Sequence, residues 1–551
     1  MSVRNALVLL LALSTLSLLV GCGSSNNSPT VVPPPTGSFS NSNLMGTYVF
    51  SISGLDNAGA PFAIVGTIAA DGTGGNGKGG ISGGTIDIVD AEFTPVFGVS
   101  INGNGFYSVG QDGRGQATIG TSTTNPFNSN LTFDFVLTSS SHGLITEFDG
   151  NASGSGTIDL QTSGLTQASL AGPYAFSFSG VDGNTFDTLA TAGAFTLGAD
   201  GTIAAGADED FNDADLPYID QSLSGSVALG PSSTPATTLS STLGGLTFDV
   251  YAIDSTHLKF IETDALEFLS GDAYSQTSAT VPTGNLAFTT AGFLGAPIAS
   301  AVPFAAGGYM NTDGGGGIAG SEDENDDGSP SPAAVTFSAN YSSAGTGRFV
   351  LNNFANFIGG TQYAAYPSSG GLLLLEIDGF GVTTGVAYAP QSTTTFASGQ
   401  GYGLNLTGLN LTDGVEVDDI SEFSVPTGTT CPTGFTLCGI IDENFAPGGI
   451  PTPPAGLALD GTLAGPDASG RYSLVATAGN SSNTTLNGGF GLTFYSVDGT
   501  TFPFIESDPG QVATGVIVLQ NSAAASAATA HSHMFVPRPL FRAHSVQRKR
   551  K

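Results

Sequence analysis

Basic residues are scarce in this chain of 551 residues, and their scarcity limits its functions. The sequence holds 12 Lys and Arg against 45 Asp and Glu, which gives a net charge of −33 at pH 7. Such a surface repels a phosphate backbone, so a role in binding DNA or RNA is excluded. Charged residues of both signs make up only 10% of the chain, and 80 glycines accompany abundant Ser, Thr and Asn. This composition is typical of exported β-proteins rather than of cytosolic helical ones.

Tryptophan is absent, and the chain contains only three cysteines. Cys431 and Cys438 flank the turn signal Pro-Thr-Gly, so we expect a disulfide that closes a short loop in an oxidising compartment. Two free thiols are the alternative. The third cysteine, Cys22, is far from both in sequence and stands near the amino terminus.

The longest apolar run lies at the amino terminus, between Ala6 and Val20, and Arg4 precedes it. The run is too short for a stable membrane span and has the layout of an export signal, which we place at residues 1–22. Its final LVGC sequence, ending at Cys22, resembles the lipobox of bacterial lipoproteins. The resemblance implies cleavage before Cys22 and diacylglycerol on its sulfur. An ordinary signal peptide is the alternative.

The segments at both ends of the exported chain lack the residues needed to build a core. Residues 23–45 are uncharged and rich in Ser, Asn and Pro, which predicts a flexible tether. Because Gly23 rather than Asp follows the cysteine, the resemblance to lipoproteins implies an outer-membrane or cell-surface destination. Residues 521–551 hold half of the basic residues and no acid, which predicts a disordered basic tail.

The body of the chain repeats one unit four times. Each copy closes a predicted strand with Glu-x-Asp, at spacings of 115, 114 and 130 residues. This period is too long for a solenoid turn or a propeller blade, and it is the size of a small domain. The predicted domains are 46–161, 172–276, 284–391 and 400–520, joined by short linkers.

Alternation of apolar and polar residues, as in 48–52 and 131–137, predicts eight or nine short strands in each copy. The predicted fold class is all-β, with four tandem antiparallel β-meander domains. We favour a small up-and-down barrel, because closure leaves no exposed edge, and keep a β-sandwich as the alternative. The Gly-x-Tyr-x-Phe opening at Gly46 resembles the first strand of lipocalin-like barrels, which implies carriage of a small apolar ligand.

The few cations of the body recur at one place in the repeat. Gly-Arg occurs roughly 30 residues before Glu-x-Asp in copies one, three and four, whereas copy two has Lys259 instead. A buried carboxylate needs a cation, and a guanidinium suits it, so we predict one ion pair inside each copy. The predicted groups are Arg114 with Glu147 and Asp149, Lys259 with Glu262 and Asp264, Arg348 with Glu376 and Asp378, and Arg471 with Glu506 and Asp508.

Paired carboxylates can also act as the acid and base of a glycoside hydrolase. Four copies of one catalytic pair in a single chain would be unusual, and an ion pair explains the same residues. We therefore predict that the protein is not an enzyme.

An acidic segment recurs earlier in each copy. In copy three, Asp323, Asn325 and Asp327 match the alternating oxygen ligands of a calcium loop, although no Glu follows at the twelfth position. A solvated acidic turn is the alternative. Calcium is the only cofactor that the sequence suggests.

Taken together, these features predict an exported, lipid-anchored protein of the outer membrane or cell surface. The first hypothesis is a non-catalytic structural, adhesion or binding role, in which repetition gives reach or avidity toward a surface glycan or a protein partner. A carrier of a small apolar ligand is the second hypothesis, and a secreted hydrolase is the third.

Overall fold

A computed structural model gives the structure of the protein from residue 38 to residue 521. All described residues belong to one of the two units into which the chain divides, Pro34–Lys551. Cys22, the predicted signal peptide, most of the predicted tether and nearly all of the basic tail lie outside the described residues. The description omits residues 75–76, 126–127, 230–237, 265, 277, 346, 355–361, 393–394, 427–430, 447–454 and 479–488.

The described residues form strands and three short 3-10 turns, Asn41–Asn43, Gln167–Leu170 and Ile298–Ser300. Copy one contributes β1 (Met45–Asp56), β2 (Pro61–Asp71), β3 (Gly79–Asp90), β4 (Val96–Ser100), β5 (Gly105–Val109), β6 (Arg114–Asn125), β7 (Asn128–Leu137), β8 (His142–Glu147) and β9 (Ala152–Leu160). Copy two contributes β10 (Gly172–Asp182), β11 (Thr188–Leu197), β12 (Ala207–Asp213), β13 (Leu216–Leu223), β14 (Val227–Leu229), β15 (Thr238–Leu243), β16 (Leu246–Ala252), β17 (His257–Glu262) and β18 (Glu267–Ser275).

The second half of the chain follows the same plan. Copy three contributes β19 (Gly284–Leu294), β20 (Val302–Thr312), β21 (Gly317–Asp326), β22 (Ser329–Pro330), β23 (Val335–Gly345), β24 (Arg348–Asn352), β25 (Tyr363–Ser368), β26 (Gly371–Glu376) and β27 (Gly381–Tyr388). Copy four contributes β28 (Gly401–Asn410), β29 (Val415–Ser424), β30 (Leu437–Ala446), β31 (Leu457–Ala464), β32 (Arg471–Ala478), β33 (Phe490–Tyr495), β34 (Thr501–Glu506) and β35 (Gln511–Leu519).

Each copy forms its own antiparallel sheet, which confirms the all-β prediction. In copy four, β28 to β35 form a closed barrel. Copies one and three also close, because β2 pairs with β3 and β20 pairs with β21. The short strands β4 and β22 pair with β3 and β21 and are not part of the closed barrels. Copy two is an open sheet whose edges are β13 and β14 among the described strands. Small barrels, rather than sandwiches, are therefore the repeating architecture.

Alternation along the strands gives each copy a separate apolar core. Phe50 of copy one packs against Phe133, with ring centroids 5.5 Å apart, and both side chains are buried. Phe176 of copy two and Phe288 of copy three occupy the same place on their first strands and are also buried. The aromatic residues that alternate in the sequence are thus core residues.

The predicted linkers carry apolar anchors for the barrels that follow them. Phe39 and Leu44, which the sequence placed in the tether, are buried in the first core. Leu170 is buried in the second core, and Val281 in the third. Phe396 stacks on Phe502 in the fourth, with centroids 4.2 Å apart. The core of each copy therefore includes a residue that precedes the predicted start of that copy.

One glycine recurs in the last strand of every copy, nine residues after the Glu of Glu-x-Asp. A Cβ added at Gly156 would lie 1.6 Å from the carbonyl oxygen of Ser51, on the neighbouring first strand. The same approach to a first-strand carbonyl oxygen occurs at Gly271, Gly385 and Gly515, at 2.1, 2.1 and 2.0 Å. The first and last strands thus approach at a point where only glycine fits.

We expect Gly156→Ala to destabilise copy one by about 3 kcal/mol, because the methyl group must displace backbone rather than a side chain. Urea unfolding measures the change. Gly83→Ala is the matched control, since a Cβ there meets nothing within 4 Å and Gly83 does not have a positive φ. Equal unfolding midpoints for the two variants would contradict the close-approach explanation.

Candidate functional site

Asp-x-Asn recurs on the third strand of three copies, where the sequence predicted acidic loops. The pairs are Asp210 and Asn212 on β12, Asp323 and Asn325 on β21, and Asp442 and Asn444 on β30. Residues two apart on a strand share a face, and here that face is the outside of the barrel. All six side chains reach the next copy along the chain, or copy one in the case of copy four.

The contact between copies two and three shows the arrangement most fully. Arg348 of copy three donates from Nε and Nη2 to the two carboxylate oxygens of Asp210, both at 2.7 Å. The Tyr366 hydroxyl donates to Oδ2 of the same aspartate at 2.5 Å. Arg348 is 3% exposed and Asp210 is fully buried. This bidentate, desolvated pair is therefore a strong directional contact.

The next two contacts use equivalent residues. Arg471 of copy four binds Asp323 of copy three at 2.7 and 2.6 Å, and Tyr495 donates to the same carboxylate at 2.9 Å. Arg114 of copy one binds Asp442 of copy four at 3.3 Å and also binds its own neighbour Asp112 at 3.0 Å. The contact between copy four and copy one thus repeats the contacts between consecutive copies.

The asparagine amides complete these contacts by binding main-chain carbonyls at the Glu-x-Asp turn of the partner copy. Asn212 Nδ2 donates to the carbonyl oxygens of Glu376 and Gly381, at 2.9 and 2.7 Å. Asn444 Nδ2 donates to the carbonyl oxygens of Glu147 and Ala152, both at 2.7 Å. Asn325 binds the carbonyl oxygens of Glu506, Asp508 and Gln511 in the same way.

A glutamine after the last strand makes a further repeated contact. Gln161 donates to the carbonyl oxygen of Ala252 in copy two, and Gln276 to that of Pro367 in copy three. Gln391 binds the carbonyl oxygen of Ser496 in copy four. Gln520 binds the carbonyl oxygen of Leu137 in copy one, at 3.0 Å. This glutamine therefore contributes to all four contacts.

These contacts, which we call seams, close the four copies into a ring. At every seam the first three strands of one copy pack on the last three strands of the next: β2 on β17, β11 on β26, β20 on β34, and β29 on β8. Apolar clusters accompany them, such as Val136 and Leu144 of copy one with Ile420 and Val516 of copy four. A head-to-tail interface either closes or propagates, and here it closes after four units.

The seam between copies one and two departs from this pattern. Asp87 occupies the aspartate position, and it accepts a hydrogen bond from Tyr251 of copy two at 2.5 Å. Val89 stands where the asparagine would be and packs in an apolar cluster. Lys259 of copy two reaches across to Thr157 at 2.8 Å and to Asp159 at 3.7 Å.

The predicted ion pairs inside each copy are wrong. Arg114, Arg348 and Arg471 lie on the outer face of their strands, whereas Glu147, Glu262, Glu376 and Glu506 are buried at the barrel interior. Side chains on the outer face of a barrel wall cannot reach side chains on its inner face. The arginines therefore pair with a neighbouring copy instead. Lys259 likewise pairs with Asp272 at 2.9 Å and with Asp159, and not with Glu262 or Asp264.

The aspartate of each Glu-x-Asp caps the turn that follows its strand. Asp149 accepts hydrogen bonds from the amides of Thr132 and Asn151, at 3.3 and 3.0 Å. Asp378 accepts equivalent bonds from Gln362 and Phe380, at 2.8 and 3.1 Å. Asp264 and Asp508 repeat the arrangement. This carboxylate is stabilised by amide donors and needs no cation.

The pKa of the glutamate in each pair is raised above its usual value. Burial, and then the neighbouring Asp264 carboxylate, raise the pKa of Glu262 to about 9. Burial also raises the pKa of Glu147, Glu376 and Glu506 well above the usual value, with Asp149, Asp378 and Asp508 adding to the effect. A carboxyl group beside a carboxylate in a dry interior keeps its proton.

The candidate calcium ligands do not form a loop. Asp323 and Asn325 lie on β21 and bind copy four, while Asp327 follows the strand at a φ of 49°. The acidic segment is part of a strand, so Asp323 and Asn325 share one face instead of surrounding an ion. Within the described part of the chain, no three His, Cys, Asp or Glu side chains are grouped to hold a metal ion.

A disulfide joins Cys431, which precedes β30, to Cys438, which lies at the start of that strand.

None of the helices described in the structure has the length and apolar character needed to cross a membrane.

The interior of the first barrel is filled. A cavity of about 10 Å³ remains between Phe50, Phe133, Phe135 and aliphatic neighbours, which is room for one water molecule. A groove at one end of the fourth barrel is lined by Glu506, Asp508 and Gln511. Its carboxyl groups belong to the Glu-x-Asp turn, where Asp508 is already bound by two amides.

Comparisons with known proteins give no identity. No family model and no curated protein matches the chain. A Nitrosomonas europaea structure provisionally described as AttH is 11% identical, covering 43% of this chain and 94% of its own, at a TM-score of 0.17. A Nostoc punctiforme protein of unknown function from the DUF3598 family is 11% identical, covering 42% and 94%, at a TM-score of 0.13. Likenesses at these scores carry no argument.

We expect Arg348→Met to destabilise the protein by about 3–5 kcal/mol, because it leaves the buried Asp210 carboxylate without its cation. Urea unfolding at pH 7 measures the change. The double variant Asp210→Asn with Arg348→Met should recover part of the loss, since no unpaired charge remains. Lys78→Met, at an exposed cation over the ring of Phe106, is the control. An Arg348→Met midpoint equal to that of Lys78→Met would refute the seam assignment.

Glu376→Gln should change how stability depends on pH. Burial raises the pKa of Glu376 well above its usual value, so the contribution of this one group to stability is fully present below about pH 4 and decreases as pH rises, with a limiting slope of about 1.4 kcal/mol per pH unit. The glutamine side-chain oxygen of Glu376→Gln can still accept a hydrogen bond from the Thr383 hydroxyl, which lies 2.8 Å from Oε2 in the parent. The glutamine has no proton that titrates.

Urea unfolding between pH 5 and pH 7 tests this expectation. The slope of unfolding free energy against pH should become less negative in Glu376→Gln and stay unchanged in Glu92→Gln, whose side chain is exposed. Identical slopes for all three proteins would show that Glu376 is ionised in the folded chain.

Proposed function

We propose that the protein is a non-catalytic scaffold of the bacterial cell surface, anchored by a lipid on Cys22 and presenting a ring of four β-sheet copies to a glycan or protein partner. The observation that carries the proposal is how the repeated polar residues are used. The Asp-x-Asn pairs, arginines and glutamines join one copy to the next, and Glu-x-Asp closes a turn inside each copy. Duplication of the unit has therefore increased the number of contacts between copies.

The carrier hypothesis has less support in the first barrel. Ligand pockets span roughly 300–1,000 Å³, whereas the cavity inside the first barrel measures about 10 Å³. Large aromatic side chains such as Phe50 and Phe133 occupy the space that a ligand would need.

The hydrolase hypothesis has less support as well. Acid–base catalysis needs a carboxyl group that reaches substrate and can exchange its proton. The Glu376 carboxyl is instead buried and accepts a hydrogen bond from Thr383, while Asp378 is bound by two amides.

Anchoring can be tested by expressing the full precursor in a bacterial host and separating the fractions. The parent should enter the detergent phase and be cut by protease added to whole cells. Cys22→Ser should be exported yet remain in the aqueous phase, and Cys438→Ser, which lacks only the disulfide, should partition like the parent. A parent that stays aqueous after export would contradict the anchor.

The scaffold role can be tested separately with the mature chain. We expect binding in a glycan or surface-protein array and no retention of fluorescent fatty acids. Stoichiometric uptake of a fatty acid would favour the carrier hypothesis, and release of sugar from a glycan would favour the hydrolase.

A further inference from the structure

Among the residues that the structure describes, no arginine stands at the seam between copies one and two, whereas each of the other three seams contains one. In the strand registers, Arg471 lies opposite Tyr495 and Arg114 opposite Val136. The residue opposite Tyr251 in copy two is Thr238. Three seam aspartates are therefore neutralised by a guanidinium, and Asp87 is not.

Asp87 faces a second carboxyl group instead. Its side chain is fully buried, and its oxygens accept hydrogen bonds from the Gly98 amide and the Tyr251 hydroxyl. Asp249 lies two residues before Tyr251 on β16, so its carboxyl group stands on the same face of the strand and interacts with Asp87 across the seam. Because Asp87 is buried, the two neighbouring carboxyl groups cannot both be ionised without strong repulsion.

We propose that the seam between copies one and two is a proton-dependent latch, which is tight while Asp87 and Asp249 share a proton and loosens when both are carboxylates. The proton takes the place that arginine has at the other seams. The ring would then open at this seam while the other three stay closed.

The electrostatics of the site agree with this assignment. Burial first, and then the Asp249 carboxylate, raise the pKa of Asp87 to about 7. Separated aspartates titrate near pH 4, so the closed latch holds a proton that the open one releases. Its tightness is therefore complete below about pH 4 and is lost as pH rises to about 7.

Other charged groups near this seam do not supply the missing cation. Lys259 is bound to Asp272 at 2.9 Å and approaches Asp159 at 3.7 Å. His142 contacts Asp159 at 2.6 Å, and His257 contacts Asp272 at 2.8 Å. Asp90, at the end of β3, faces the acidic Asp56 and Glu92. The groups that face Asp87 itself are Asp249 and Tyr251 of β16 and the Gly98 amide.

Spin-label distances on the full mature chain can test the latch. The first label pair, at Asn104→Cys and Ala205→Cys, spans the seam between copies one and two. The second label pair, at Ala334→Cys and Thr412→Cys, spans the seam between copies three and four. All four positions are exposed. Between pH 5 and pH 7 the first pair should gain a longer-distance population, with an opening constant that grows about tenfold per pH unit. The second pair should not change.

Substitutions identify the group responsible. Asp87→Asn removes the need for a shared proton and should keep the first pair at its short distance at every pH, and Asp249→Asn should do the same independently. Asp323→Asn, the equivalent change at an arginine seam, should lengthen the second pair without any dependence on pH. An unchanged first-pair distance in the parent from pH 4.5 to 8, or an equal pH response in Asp87→Asn, would overturn the proposal.

Discussion

The ring depends on a carboxylate of one barrel that is bound by the guanidinium of the next. A closed barrel turns its apolar side chains inward, so any polar group that joins two barrels must stand on the outer face of a strand. Asp210 and Arg348 meet there at 2.7 Å with almost no exposure to water. A buried charge without its partner is costly, so the pair fixes which face of one copy meets which face of the next.

The body contains few cations because they are used at the contacts between copies rather than inside each copy. Each copy buries several acids, but inside the barrel burial raises the pKa of Glu376 well above its usual value, and Asp378 accepts hydrogen bonds from two amides. Arginine is used at three seams, and at the remaining one Tyr251 and Asp249 face the aspartate. The body can therefore carry 45 acidic residues with few bases.

Local patterns in the sequence predicted the strands, the period, the small barrels and the aromatic core, because alternation and turn signals act over a few residues. The seams could not be predicted in the same way. Arg348 lies closer in sequence to Glu376 than to Asp210, and a repeat does not show whether two of its positions meet within one copy or between neighbours. A glutamine follows Glu147 by 14 residues, and it recurs at nearly the same offset in every copy. This recurrence was a signal in the sequence of the contacts between copies.

A double-mutant cycle tests the central claim most directly, because it separates contact between copies from contact within one. We expect a coupling energy of about 2 kcal/mol between Asp210→Asn and Arg348→Met in urea unfolding, and almost none between Arg348→Met and Glu376→Gln. Strong coupling of Arg348 to Glu376, with none to Asp210, would contradict the ring and restore an ion pair inside the copy.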